Sequence, residues 1–163
     1  LFRRRTTVVL ASTALLLMLS ACGGSKTAEE SQARHQTPSG DLQEKTASLS
    51  TLPSFLDKQP EQMKKAYLVA AQTKDLLRNI PCYCGCSESA GHQSNMNCFI
   101  KETASDGSVV WDDHATRCGV CLEIAVKSAQ WQQQGQSAKD IREQIDKQYQ
   151  KGYAKPTPTP LPA

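Results

Sequence analysis

The chain is short of the residues that build a large apolar core. Of its 163 residues only 6% are aromatic and 21% are charged, and its mean hydropathy is −0.49. No apolar run beyond residue 19 approaches the roughly 20 residues of a membrane-spanning helix, which excludes a multi-span membrane protein. Away from its N-terminus the chain also lacks net charge. Arg3, Arg4 and Arg5 account for the whole +3, and the rest carries 16 basic and 16 acidic side chains. A neutral remainder excludes a nucleic-acid binder, which needs a basic stripe against phosphates. No Ser-His-Asp order, phosphate-binding glycine loop or paired glycosidase carboxylates can be read, so no catalytic residue is assigned. What the chain has in excess is cysteine. Seven thiols in so short a chain imply disulfides, a metal site or redox chemistry.

One of the seven belongs to an address. Arg3–Arg5 form a basic n-region, and residues 6–19 form an apolar h-region too short for a span. Leu19-Ser20-Ala21-Cys22 follows and resembles the bacterial lipobox. In that motif small residues precede the cut, the cysteine sulfur takes a diacylglycerol, and the cysteine becomes the new N-terminus. Residues 1–21 are therefore expected to be a signal peptide and Cys22 the lipidation site, with the protein held by lipid on the extracytoplasmic face of the cell membrane. The other six cysteines then lie where disulfides are permitted.

Residues 22–52 are expected to be the lipidated cysteine and a disordered stalk, rich in Ser, Thr, Gln and Glu, with His35 as a solvated tether residue. Residues 153–163 alternate proline with threonine and predict an extended, unpaired tail. The folded part is then 53–152. Within it Met63, Ala66, Tyr67, Ala70 and Leu77 recur at helical spacing and predict a helix over about 60–79, opened by Pro60 and stopped by Pro81. Cys121, Ile124, Ala125, Ser128 and Trp131 predict a second helix from about 117 to 134, closed by Gly135. Ile141, Ile145 and Tyr149 predict a third from Ser137, with Asp140 completing a capping pair. Residues 81–116 read as irregular, with a turn at Ser105-Asp106-Gly107 and a short extended piece at Val109–Trp111. The expected fold class is mainly α: about three helices with a long cysteine-rich segment between the first and second. So modest an apolar inventory calls for a staple.

The cysteines are that staple. Pro81-Cys82-Tyr83-Cys84-Gly85-Cys86 sets three sulfurs within five residues, and His92, Cys98, His114 and the pair Cys118-Gly119-Val120-Cys121 follow. The hexapeptide, Gly91-His92, Asn97-Cys98-Phe99-Ile100, the C-x-x-C pair and the upstream Leu52-Pro53-Ser54-Phe55-Leu56 resemble the bacterial PCYCGC-motif lipoprotein family over about residues 50–150. The resemblance implies an exported lipoprotein and no established activity.

The chemistry has to come from the residues themselves. Cys82, Cys84, Cys86, Cys98, Cys118, Cys121, His92 and His114 are eight candidate ligands, enough for two Cys3His zinc sites or for a copper(I)–thiolate cluster. A C-x-x-C at a helix start is a common half-site, because the helix N-terminus favours the thiolate. Two other readings stand beside metal binding. Cys82, Cys84 and Cys86 can each pair with Cys98, Cys118 or Cys121, giving a disulfide-stapled binding module, since bridges within the C-x-C-x-C run would be strained. Alternatively, Cys118 and Cys121 form a thiol–disulfide exchange pair, although the βαβ pattern of thioredoxin-like proteins is missing. Asp112 and Asp113 either orient His114 or occupy a solvated turn, and Trp111 and Trp131 either pack in the core or shield the cluster.

Overall fold

Pro60 sets the backbone for the first helix, α1 (Glu61–Gln72), which buries Ala66, Tyr67, Ala70 and Ala71. The helical path does not continue unbroken to residue 79. At Thr73 the side-chain hydroxyl donates to the Val69 carbonyl at 2.8 Å, and φ and ψ move to −109° and 18°. A separate turn, α2 (Lys74–Leu77), then buries Leu76 and Leu77 ahead of Pro81. A short helix, α3 (Cys86–Ala90), lies between Gly85 and Gly91, both in the left-handed region. Helix α4 (Gly119–Gln133) buries Cys121, Ile124, Ala125 and Ser128, and the chain leaves it through Gly135 at φ +84°. Helix α5 (Ala138–Tyr149) starts where the Ser137 hydroxyl accepts the Asp140 N–H at 3.1 Å, and it buries Ile141, Ile145 and Tyr149.

The computed structural model describes residues 33–162. The expected signal peptide, Cys22 and the first part of the expected stalk lie outside the described residues. Within them the expectation of a mainly α domain is overturned. Four strands, β1 (Arg34–Gln36), β2 (Leu42–Thr46), β3 (Ile100–Thr103) and β4 (Val109–Asp112), form an antiparallel sheet in the order β1-β2-β4-β3, so the fold is mixed α/β. Half of that sheet comes from residues expected to form a disordered stalk. Their low apolar content hides them, because the hairpin is held by polar groups. The Glu44 carboxylate accepts the Ser54 N–H at 2.6 Å and the Ser54 hydroxyl at 2.9 Å, and Trp111 Nε1 donates to the Thr46 hydroxyl at 2.8 Å. β4 pairs with both neighbours, Gln43 facing Asp112 and Ile100 facing Trp111, with a bulge between Ile100 and Glu102. His35 lies exposed in β1.

The core fills the space between the sheet and helices α1, α4 and α5. Tyr67 stands edge-on to Phe99 at 5.1 Å and to Phe55 at 5.8 Å, with Trp111 at 6.2 Å. Its hydroxyl donates to the Asp112 carbonyl at 2.8 Å, so its polar tip is satisfied inside the core. The tail is extended as expected but is not unpaired. The Thr157 N–H donates to the Cys82 carbonyl and the Cys82 N–H donates to the Thr157 hydroxyl, both at 2.9 Å, while the Ala154 N–H donates to the Tyr83 carbonyl. The alternating prolines have no N–H to offer, so the threonines make the contacts. No helix among the described residues is long and apolar enough to cross a membrane.

Candidate metal centre

After Pro81 the chain lies outside helix and strand, with the Cys82 and Cys84 sulfurs turned together and Tyr83 turned away toward α5. Tyr83 stacks on Tyr149 at 6.0 Å and donates to Asp146 at 2.7 Å, which anchors the motif against α5. Gly85, at φ +87°, then turns the chain into α3 and brings Cys86 round. A side chain at that angle would cost about 1–2 kcal/mol. His92 follows Gly91 and donates its N–H to the Cys86 carbonyl at 3.1 Å. Cys98 closes a 3₁₀ turn over 95–98, whose start is fixed by reciprocal bonds between Ser94 and Asn97. His114 opens another over 114–117. Cys118 and Cys121 sit before and within the first turn of α4. Buried Asn95 ties these segments together, its side-chain amide donating to the Cys121 carbonyl at 3.1 Å and its backbone N–H to the Ile80 carbonyl at 2.8 Å.

All eight ligand candidates meet in one place, and the six cysteines among the described residues are free thiols. Cys82 Sγ lies 3.3 Å from Cys121 Sγ and 3.4 Å from Cys84 Sγ, Cys84 and Cys121 are 3.5 Å apart, and Cys86 and Cys98 are 3.8 Å apart. Histidines flank the sulfurs: His92 Nδ1 is 3.5 Å from Cys98 Sγ and His114 Nε2 is 3.8 Å from Cys84 Sγ. The donor atoms of Cys84, His114, Cys118 and Cys121 lie within 4.8 Å of one another, as do those of Cys86, His92, Cys98 and His114. Four sulfurs bound tetrahedrally at about 2.3 Å to one zinc stand about 3.8 Å apart. The closest sulfurs are thus at or slightly inside coordination spacing, the other donors of each group lie within 4.8 Å, and the Cys/His groups could hold a metal ion.

The polar surroundings treat the two histidines differently. His114 Nδ1 lies 3.0 Å from Asp41 Oδ1, leaving Nε2 toward Cys84. Asp41 is itself held by the Ser39 hydroxyl at 2.8 Å and by the Arg117 guanidinium at 2.6 Å. Burial pushes the Asp41 carboxyl up, but the bonds from Ser39 and His114 outweigh it and keep the group below its ordinary value. Contact with Cys84, and then with Asp41, raises His114 to about 9, whereas burial and the neighbouring His114 lower His92 to about 4. His92 therefore offers a neutral ring to a metal. Hydrogen bonds from Cys118 and Cys121 hold the Cys84 thiol well below its ordinary value, and burial holds Cys98 well above.

Asp112 and Asp113, read as possible orienters of His114, do not touch its ring. Asp112 accepts the His114 backbone N–H at 3.0 Å and the Gln43 amide at 2.8 Å. Asp113 accepts the Leu42 N–H at 2.7 Å and the Arg117 guanidinium at 2.6 Å. The ring is held instead by Asp41, a residue sequence reasoning passed over. The turn chemistry of Thr37-Pro38-Ser39-Gly40, closed by the Gly40 N–H on the Thr37 carbonyl, was the available signal for a hairpin there. Trp111 is fully buried in the core.

The family model for proteins of unknown function with a PCYCGC motif matches residues 9–162. No curated protein and no solved structure matches the chain. On the span of that match, which takes in every residue of the cluster, the chain belongs to the family of proteins of unknown function with a PCYCGC motif.

Proposed function

We propose that this protein is an exported, lipid-anchored lipoprotein that binds zinc or copper(I) through its Cys/His cluster, for metal handling or to hold its own fold. One observation carries the metal reading: eight nitrogen and sulfur donors, from residues 82 to 121, fall into overlapping groups whose atoms lie within 4.8 Å of one another, while every described thiol is free. A thiolate-rich donor set selects soft or borderline ions, which favours zinc and copper(I) over magnesium or calcium. The export reading rests on the basic n-region, the apolar run and the Leu19–Cys22 box. The cluster goes beyond what thiol–disulfide exchange at Cys118 and Cys121 requires, since exchange needs one dithiol and the fold gathers six sulfurs.

Elemental analysis and thiol titration of the chain, made under reducing conditions, test this. The expected result is stoichiometric zinc or copper with the six domain thiols reduced. Absence of both metals, with those thiols oxidised, overturns it.

A further inference from the structure

Eight donors are too many for one tetrahedral ion, which takes four. Solvent access and distance together divide them into two sets: the sulfurs of Cys82, Cys86 and Cys98 are buried, Cys84 and Cys118 are partly exposed, and buried Cys121 joins the second set through its distances to Cys84, His114 and Cys118. Cys82 and Cys98 are 0% exposed, Cys86 is 1% and His92 is 6%. Cys86 and Cys98 are 3.8 Å apart, Cys98 and His92 are 3.5 Å apart, and Cys82 lies within 4.8 Å of both Cys86 and Cys98. The three sulfurs of this set have no face toward solvent, and its ring, His92, lines a cavity of about 350 Å³ with Asp41 and Asp112. The other set is Cys84, His114, Cys118 and Cys121, all mutually within 4.8 Å. Cys84, His114 and Cys118 are only partly buried, and a cavity of about 170 Å³ opens onto His114 and Cys118 beneath Arg117 and Ser39.

We infer that the cluster holds two ions of zinc or copper(I) at once: an inner ion on Cys82, Cys86, Cys98 and His92 that is retained, and an outer ion on Cys84, Cys118, Cys121 and His114 that exchanges. The inference rests on the metal-binding reading above. Ligand exchange starts when an incoming donor reaches the ion. The inner sulfurs are closed to one, as in structural sites, whereas Cys84 and Cys118 on the outer side are open. Cys82 and Cys121, one from each set, stand at the junction with their sulfurs 3.3 Å apart. Each ion that binds displaces the protons of its thiols to solvent. The arrangement assigns both roles to one cluster: the inner ion staples the hexapeptide to the 95–98 turn, and the outer ion is cargo.

The test uses the full chain in detergent, loaded with Zn(II), freed of excess ion and challenged with a chromophoric zinc chelator. Two equivalents should be bound and should leave in separate fast and slow phases of equal amplitude. Cys118→Ser should lose the fast equivalent and keep the slow one, with an unchanged far-UV circular dichroism spectrum. His114→Ala should do the same if Cys118→Ser folds poorly. One equivalent in the unmodified chain, two equivalents leaving in a single phase, or folded variants that keep both phases would overturn the two-ion inference and leave metal binding standing. No bound zinc and no bound copper would overturn the metal-binding reading itself.

Discussion

His114 has two ring nitrogens and a different partner for each, Cys84 Sγ at 3.8 Å and Asp41 Oδ1 at 3.0 Å. A ligating imidazole that donates its other N–H to a carboxylate is fixed in tautomer and orientation, and loss of such a partner typically weakens metal binding 10–100-fold. Asp41→Ala should therefore weaken zinc or copper(I) binding by about 10–100-fold, with Asp41→Asn intermediate, because an amide oxygen still accepts but carries no charge. Competition against a chelator of known affinity measures this. Equal affinity in the Ala variant and the parent chain would remove Asp41 from the site. Arg117 belongs to the same device. Half exposed, it bridges Asp41 and Asp113 and so binds the β1–β2 hairpin to the turn that carries His114.

At the scale of elements, the C-terminal strap is the least expected part of the architecture. It seals the backbone of the hexapeptide, and Thr157 is its most buried residue at 3% exposed. Thr157→Val keeps the shape and removes the hydroxyl that accepts the Cys82 N–H, leaving a buried donor without a partner. The expected cost is about 1–3 kcal/mol, read as a lower urea midpoint, with Thr157→Ser close to the parent. Equal midpoints for the valine and parent chains would mean that the strap contributes nothing there. The strap and the hairpin share the reason they escape sequence reading. Helices α1, α4 and α5 announce themselves because their buried residues repeat at helical spacing, as with Ile141, Ile145 and Tyr149. Strand β1 is Arg34-His35-Gln36 and has no apolar residue to repeat, and β2 turns Glu44 inward onto Ser54. The strap works through threonine hydroxyls and amides in a segment that reads as proline-rich tail. The eight Cys and His residues that the fold gathers could, by contrast, be singled out, because donor type and spacing survive in one dimension. Their supports Asp41, Asn95 and Thr157 could not, since each acts from 26 to 75 residues away.

For the whole molecule, the question is whether sulfur replaces the apolar core or adds to it. The chain is lean in aromatics, yet those it has are concentrated in one place: Trp111, Tyr67, Tyr149 and Phe99 are among the largest fully buried side chains. Cys82, Cys86, Cys98 and Cys121 belong to the same continuous buried cluster as these aromatics and the isoleucines of α4 and α5. The Cys/His cluster is thus one wall of the core rather than a substitute for it. A ligand that binds only the folded state, at a free concentration of about 1,000 times its Kd, adds roughly 4 kcal/mol of stability. At about 3 °C per kcal/mol for a domain of this size, stripping the metal under reducing conditions should lower the melting temperature by roughly 10 °C. The metal-free chain should still be folded at room temperature, with its helical circular dichroism and the buried emission of Trp111 retained. Melting followed by both signals, with and without a chelator, checks this. Complete unfolding on chelation would mean that the aromatic core is insufficient alone, and identical melts would mean that the cluster binds nothing that the folded state prefers.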